Sequence, residues 1–442
     1  MKVTSAWFAN LFGRFRSEHT LAVAVGALAV SCVPHMETSA VEAAPRVEPT
    51  RVVRSASQPE RSALRPPLRS APVRTTPVTG STPPQRSAAA SAYPPAPPPA
   101  PAVSPQVLAA QRILDARIKS LGESFNGDVG IAVRDVQTGW TSHFDGASLF
   151  PQQSVSKFWV TLTALDKADR GEISLTSPVT VRRSDLTLFN QPIAALVKGD
   201  GYQTTLGDLI HRAITASDNT ANDFVLWRAG GPDAVRSFLL NKGINGIRFG
   251  PGERVMQARI AGMEWRPSMV GSGFYAARSS VPLDVRRSAL ERYLDDPVDG
   301  AAPIAIVDAL TRLKKGQLLS PAATQRILGI MSNTKTGKQR LRGGLAPGWS
   351  LAHKTGTGQI LGSTSTGYND IGIVTGPDGR SYAVAVMIRR TAAPIPHRMA
   401  LMQNTVRAII DYSRNSQGYN VARSTSPYSP APQYSGDEGD GE

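Results

Sequence analysis

The sequence predicts an α+β fold whose sheet is assembled from distant parts of the chain. Three observations predict it. Segments 129–135 and 140–144 read as short strands, and 350–354, 370–375 and 382–388 read the same way far downstream. Between them, 154–331 carries apolar residues at helical spacing, punctuated by cap and stop signals. Strands at both ends with helices between place sheet neighbours far apart in sequence.

The first helix spans 106–121, with Leu108, Ile113, Leu114, Ile118 and Leu121 at helical spacing. Strands 129–135 and 140–144 follow, joined by a turn at Gly139. A helix over 154–170 ends at Gly171, and further helices fit 205–216, 220–227 and 232–241. Another covers 303–315 and stops at Gly316. Ser320-Pro321 supplies the N-cap and first-turn residue of a helix reaching 331. Strands 370–375 and 382–388 are joined by Gly376-Pro377-Asp378-Gly379, and a last helix fits 397–412.

A chain of 442 residues holds two or three domains, or one large domain with tails, at roughly 100–200 residues per domain. Composition divides it. Residues 45–105 hold 16 of the 34 prolines and one aromatic, Tyr93. Such a segment favours extended polyproline geometry and cannot bury a core, so it reads as a disordered linker. Residues 414–442 are rich in Ser, Pro, Gly and Tyr, end acidic, and read as a disordered tail. The folded unit is then 106–413, and no internal repeat is present.

Residues 1–44 read as a signal peptide. Lys2, Arg14 and Arg16 precede an apolar stretch, 21–33, that is too short to span a bilayer comfortably. The stretch ends Ala29-Val30-Ser31-Cys32, which resembles a lipobox, although Ala29 stands where leucine is usual. An ordinary small-residue cleavage site near Ala40 to Ala44 is the alternative. A membrane-anchored lipoprotein and a soluble periplasmic form both stay open, and export is common to both.

Cys32 is the one cysteine, which excludes an intrachain disulfide framework, a thiolate zinc site and a CxxC redox motif. The six histidines show no HExxH pairing, so neither a metal nor another cofactor is expected. The net charge is +15, of which residues 106–412 carry +11. The basic residues are dispersed, with no long Lys/Arg run, so nucleic acid is not an expected partner. A basic domain working beside an anionic envelope fits, and a monomer is expected.

The chemistry lies in three short pieces. Ser154-Val155-Ser156-Lys157 stands at a helix start, where residues i and i+3 share a face. The Lys157 amine can therefore lie beside the Ser154 hydroxyl, a nucleophile that needs a base. Partial burial and nearby cations lower a lysine pKa enough to provide one. Ser217-Asp218-Asn219 lies between two helices, where all three types also serve as N-caps. Lys354-Thr355-Gly356 ends a strand, and a small residue there lets a ligand lie close to the backbone. Each piece alone is common; all three, in this order and on these elements, form a catalytic signature.

With these pieces the chain resembles the penicillin-interacting serine enzymes, specifically class A serine β-lactamases. The resemblance extends to Phe150-Pro151, Thr220-Ala221, Gly230-Gly231-Pro232 and the stretch from Leu345 to Gly356. It implies a β-lactamase/transpeptidase-like architecture, an antiparallel sheet flanked by helices plus an all-helical part. By the resemblance Ser154 is acylated, Lys157 is base or proton relay, and Ser217 passes a proton to the lactam nitrogen. Asn219 bonds the substrate's side-chain amide, and Lys354 and Thr355 bind its carboxylate. The backbone N–H groups of Ser154 and Thr357 form the oxyanion hole, and Phe189 takes the place of an aromatic gate. An ungapped reading from Gly230-Gly231-Pro232 puts the omega-loop glutamate on Glu253 and its water-holding amide partner on Gln257. Glu264 is the fallback.

Four departures stand out. Pro251 replaces the arginine that usually pins the omega loop. Residues 258–300, with Trp265, Phe274, Tyr275 and an amphipathic stretch from 282 to 294, have no family counterpart and read as a surface insertion or a lid. Asn369 stands where a late-strand arginine is usual, and Arg340 occupies the alternative position. Gln257 is one methylene longer than the usual asparagine.

The expected substrate is a small-molecule β-lactam or a peptidoglycan stem peptide. A secreted β-lactamase is the first expectation. A D-Ala-D-Ala peptidase that deacylates slowly is the second, and a non-catalytic cell-wall-tethering protein the third. Intact Ser154, Lys157, Ser217 and Lys354 oppose the third.

Overall fold

The computed structural model describes residues 103–416. The signal-like segment with Cys32, the proline-rich stretch through 102 and the tail from 417 lie outside the described residues.

Helix α1 (Pro105–Glu123) begins behind Ser104, whose hydroxyl accepts the Val107 N–H. Strands β1 (Asp128–Asp135) and β2 (Thr141–Phe144) form a hairpin. After the two-residue β3 (Phe150–Pro151) comes a 3₁₀ turn, Gln153–Ser156, and then α2 (Lys157–Asp169). Strands β4 (Pro178–Val181) and β5 (Tyr202–Thr205) pair with each other. The helical part continues through α3 (Leu206–Thr215), α4 (Asn219–Arg228), α5 (Gly231–Asn241) and α6 (Glu253–Ile260). Helices α7 (Gly273–Ser280) and α8 (Leu283–Asp295) precede β6 (Gly300–Ala301), which pairs with β3. Then come α9 (Pro303–Lys314) and α10 (Pro321–Ser332), the latter capped by Ser320. Strands β7 (Ser350–Gly356), β8 (Ile360–Leu361), β9 (Thr364–Thr375) and β10 (Ser381–Thr391) lead into α11 (Ile395–Ser416).

The main sheet is antiparallel, in the order β2-β1-β10-β9-β7, with β8 folded onto the start of β9. Both faces are covered, which explains why β10 is continuously apolar from Tyr382 to Ile388 rather than alternating. Val384, Val386 and Ile388 face a layer containing Leu114 and Ile118 of α1 and Val406 and Ile409 of α11. Ala383, Ala385 and Met387 face the opposite layer, with Trp159 of α2 and Val307 and Leu310 of α9. A one-residue slip would exchange the two sets. This is the α+β architecture expected, with its sheet drawn from both ends of the described residues.

Two differences bear on the site. The expected 154–170 helix starts as a 3₁₀ turn and becomes α-helical at Lys157, because Gln153 sits at φ 53°, outside helical space. The segment 258–300 is not a surface appendage: Phe274 and Leu294 are fully buried, and Tyr293 is buried as well. Leu290, Tyr293 and Leu294 of α8 pack against Met256 and Ile260 of α6, so the segment backs the helix that begins with Glu253.

Candidate active site

The strained turn at Gln153 holds Ser154 at the mouth of α2. A non-glycine residue at positive φ needs surrounding structure to hold it. Here the Gln153 N–H donates to Asp299 Oδ2 at 2.7 Å. The end of β7 crosses directly beneath: a Cβ on Gly356 would come within 2.4 Å of the Gln152 carbonyl oxygen. Only glycine permits that approach. Asn369 completes the support. Its amide donates to the carbonyls of Pro151 and Gln152, and its Oδ1 accepts the Ile388 N–H. The residue standing in the late-strand arginine's place therefore clamps the turn to the sheet.

The three motif pieces converge on one cleft of about 410 Å³. Its lining includes nine of the residues that sequence singles out: Ser154, Phe189, Ser217, Asn219, Glu253, Gln257, Arg340, Thr355 and Thr357. Lys157 and Lys354 lie under it with no exposed surface. Glu264 is exposed and outside this cleft, so Glu253 is the carboxylate at the site.

Lys157 Nζ donates to Ser154 Oγ at 2.8 Å and to Glu253 Oε2 at 3.2 Å. Lys354 Nζ donates to Ser217 Oγ at 2.9 Å and to the Thr355 carbonyl at 2.8 Å. Burial, and then the nearby Lys157 charge, hold the Lys354 amine well below the ordinary lysine range. Ser217 sits at φ 57°, which turns its hydroxyl toward Lys354 while Asp218 caps α4 through the Ala221 N–H. Asn219 donates to the Leu188 carbonyl at 2.9 Å, and its buried Oδ1 finds no protein partner among the described residues. Arg340 donates to the Gly356 and Asn369 carbonyls and to Thr357 Oγ1, and its guanidinium lies 3.8 Å from the Tyr368 ring centroid. Phe189, at φ 60°, meets Phe274 and Tyr275 of α7 edge-on at the rim. His353, beside Lys354, is taken up locally by Asp370 at 2.9 Å.

Several participants carry no sequence signature. Gln257, expected to hold a water, donates its amide nitrogen to Gln153 Oε1 and Glu253 Oε1. Its Oε1 accepts from Gln359. Gln153, Gln359, Tyr293, Asp299 and Asp223 thus belong to the site, and no short-range pattern announces them. The one available signal was the amphipathic 282–294 stretch, whose apolar face carries Tyr293 inward.

Asp223 Oδ1 accepts the Glu253 N–H at 3.2 Å and fixes the first turn of α6. Burial, and then the Glu253 charge, push the Asp223 carboxyl up to about 6. The folded pKa thus exceeds the unfolded value of about 3.9. Between roughly pH 4 and 6 the folded state binds a proton that the unfolded state has released, so this group's contribution to stability improves as pH falls through 6. Above that window the ionised form costs on the order of 2–3 kcal/mol. Asp223→Asn, which keeps the accepting oxygen, is expected to stabilise the fold by about 2 kcal/mol near pH 7.5 and by little near pH 4. Denaturant unfolding at both pH values checks this; an equal gain at both would contradict it.

The Beta-lactamase enzyme family model matches residues 113–413. The extended-spectrum beta-lactamase PER-1 of Pseudomonas aeruginosa is 28% identical over 287 residues, covering 63% of this chain and 80% of that protein. A beta-lactamase of Bacteroides uniformis is 28% identical over 292 residues, covering 64% and 86%. Among solved structures, an ancestral class A beta-lactamase superposes with a TM-score of 0.53 at 28% identity, covering 67% of this chain and 99% of that one. A beta-lactamase from Chitinophaga pinensis gives 0.57 at 24% identity, covering 68% of this chain and 99% of that one, a likeness of fold. On the family match over 113–413, the chain belongs to the beta-lactamase enzyme family.

Proposed function

We propose that this chain hydrolyses the amide of β-lactams through an acyl intermediate on Ser154. The observation that carries the reading is one buried lysine bridging a serine hydroxyl and a carboxylate at a single cleft. Lys157 takes the Ser154 proton, with Glu253 in reach to relay it, and Oγ attacks the lactam carbonyl carbon. The N–H groups of Ser154 and Thr357 stabilise the oxyanion. Ser217 Oγ gives its proton to the lactam nitrogen as the C–N bond breaks, and Lys354 resupplies it. The Glu253 carboxylate then draws a proton from water as that water attacks the ester; the bond to Ser154 breaks as Lys157 returns to Oγ the proton it took, and the proton on Glu253 makes good the one Lys354 gave up.

The remaining residues bind. Thr355, Lys354 and the Arg340 guanidinium receive the substrate carboxylate. The unpartnered Asn219 Oδ1 accepts the N–H of the substrate's side-chain amide. Phe189 bounds the side-chain pocket. The protein acts outside the cytoplasm, either periplasmic or held to the membrane through Cys32.

One observation favours a second reading. Both N–H groups of the Gln257 amide are committed to Gln153 and Glu253 and its oxygen already accepts from Gln359, which leaves one lone pair of that oxygen to help Glu253 hold a water. A D-Ala-D-Ala peptidase with slow lactam release would tolerate that. Steady-state hydrolysis of a chromogenic cephalosporin, beside cleavage of a diacylated D-Ala-D-Ala peptide, tests the two. Many lactam turnovers with no peptide cleavage support the β-lactamase; peptide cleavage with one lactam consumed per chain supports the peptidase.

A further inference from the structure

The carboxylate of Glu253 is oriented from below by a buried chain of hydrogen bonds that starts in the 258–300 segment. Tyr293 Oη donates to Asp299 Oδ1 at 2.8 Å and accepts from Gln153 Nε2 at 2.6 Å. Gln153 Oε1 accepts from Gln257 Nε2 at 2.8 Å, and the same nitrogen donates to Glu253 Oε1 at 3.1 Å. Gln359 Nε2 closes the chain on Gln257 Oε1 at 3.0 Å. All six side chains are buried.

The polarity of the chain is set at its far end. Asp299 faces two donors, the Tyr293 hydroxyl and the Gln153 N–H, and as a carboxylate it only accepts. The phenol proton therefore points at Asp299, which leaves Oη to accept the Gln153 amide nitrogen. The Gln153 oxygen is then turned to Gln257, whose amide must present its nitrogen end to Gln153 and Glu253. With Gln257 reversed, an amide oxygen would face the Glu253 carboxylate, two acceptors with no proton between them.

We propose that Tyr293 and Asp299 are positioning residues for deacylation, which hold Glu253 through Gln153 and Gln257 in the geometry that activates water. Pro251 stands where a loop-pinning arginine would be, so this chain pins the segment by a neutral phenol relay instead of an ion pair. The inference rests on the acyl-Ser154 reading above.

The test is Tyr293→Phe in the full chain, which removes one oxygen and keeps the ring packed against Met256 and Ile260. A misplaced catalytic group costs up to about 100-fold. Turnover of a penicillin is expected to fall at least tenfold, with KM falling in step and kcat/KM held within about twofold, because acylation is untouched. Intact mass during turnover is expected to show accumulated acyl-enzyme. Asp299→Asn would also free the Gln153 N–H and with it the turn that holds Ser154, so should Tyr293→Phe fold poorly, kcat referred to the fraction of chain that forms the adduct is the second readout, and it is expected to show the same split. A merely structural residue would lower kcat/KM with the folded fraction and accumulate no adduct, and that result would overturn the inference. Unchanged kcat and KM in a hydrolysing background would overturn it alone. No hydrolysis by the unaltered chain would overturn it together with the reading beneath it.

Discussion

Ser154→Ala is expected to abolish both β-lactam turnover and covalent labelling of the chain. The Ser154 hydroxyl is the nucleophile-type oxygen held 2.8 Å from the buried Lys157 amine. Ser156 stands two residues on, but its hydroxyl is committed to the Gln153 carbonyl at 2.7 Å. Removing a nucleophile that works with its base as one unit costs on the order of 10⁴–10⁶ in kcat. The substitution deletes one exposed-side oxygen from the cleft and no core contact, so the fold is expected to survive. Progress curves with a chromogenic cephalosporin, and intact mass with a penicillin, check the two losses separately. Retained turnover would move the chemistry off Ser154.

Glu253→Gln is expected to leave acylation largely in place and to stall the ester. A general base in a hydrolytic step is worth about 10²–10⁴-fold, so turnover is expected to drop about 10³-fold while one adduct per chain persists. Glutamine fills the same volume and can still accept from Gln257. Both substitutions remove the counter-charge of a fully buried lysine, and breaking a buried pair costs about 3–5 kcal/mol; alanine is the poorer choice because it also removes the oxygens that Lys157 and Gln257 donate to and leaves their space unfilled. Single-turnover mass measurements separate acylation from release. A variant that acylates slowly and shows no adduct would assign Glu253 to the first step instead.

Much of the site was legible because its chemistry is written in short spacings. An i, i+3 pair at a helix start brings Ser154 and Lys157 together whatever the rest of the chain does. The Lys354-Thr355-Gly356 strand end is legible because glycine there marks a close approach, here to the Gln152 carbonyl. Glu253 was placed by counting from Gly230-Gly231-Pro232, and it arrives at the cleft because Asp223 holds its N–H. The illegible part is held by long-range contacts. Gln153 meets Tyr293 across 140 residues and Gln257 across 104. No periodicity reports such pairs. Helix boundaries failed at Gln153 for the same reason: its positive φ is imposed by Asp299, a partner 146 residues away. The 258–300 segment stayed open between a lid and a surface insertion because amphipathicity shows that a helix buries a face, not which neighbour receives it.

The measurement that goes most directly to the centre is time-resolved intact mass of the full chain mixed with a penicillin, with peptide mapping of any adduct and drug loss followed in parallel. The expected result is a transient gain of one drug mass, confined to the peptide containing Ser154, rising and decaying over many turnovers. Drug loss with no adduct at any time, or an adduct mapped to another residue, would contradict acyl transfer through Ser154.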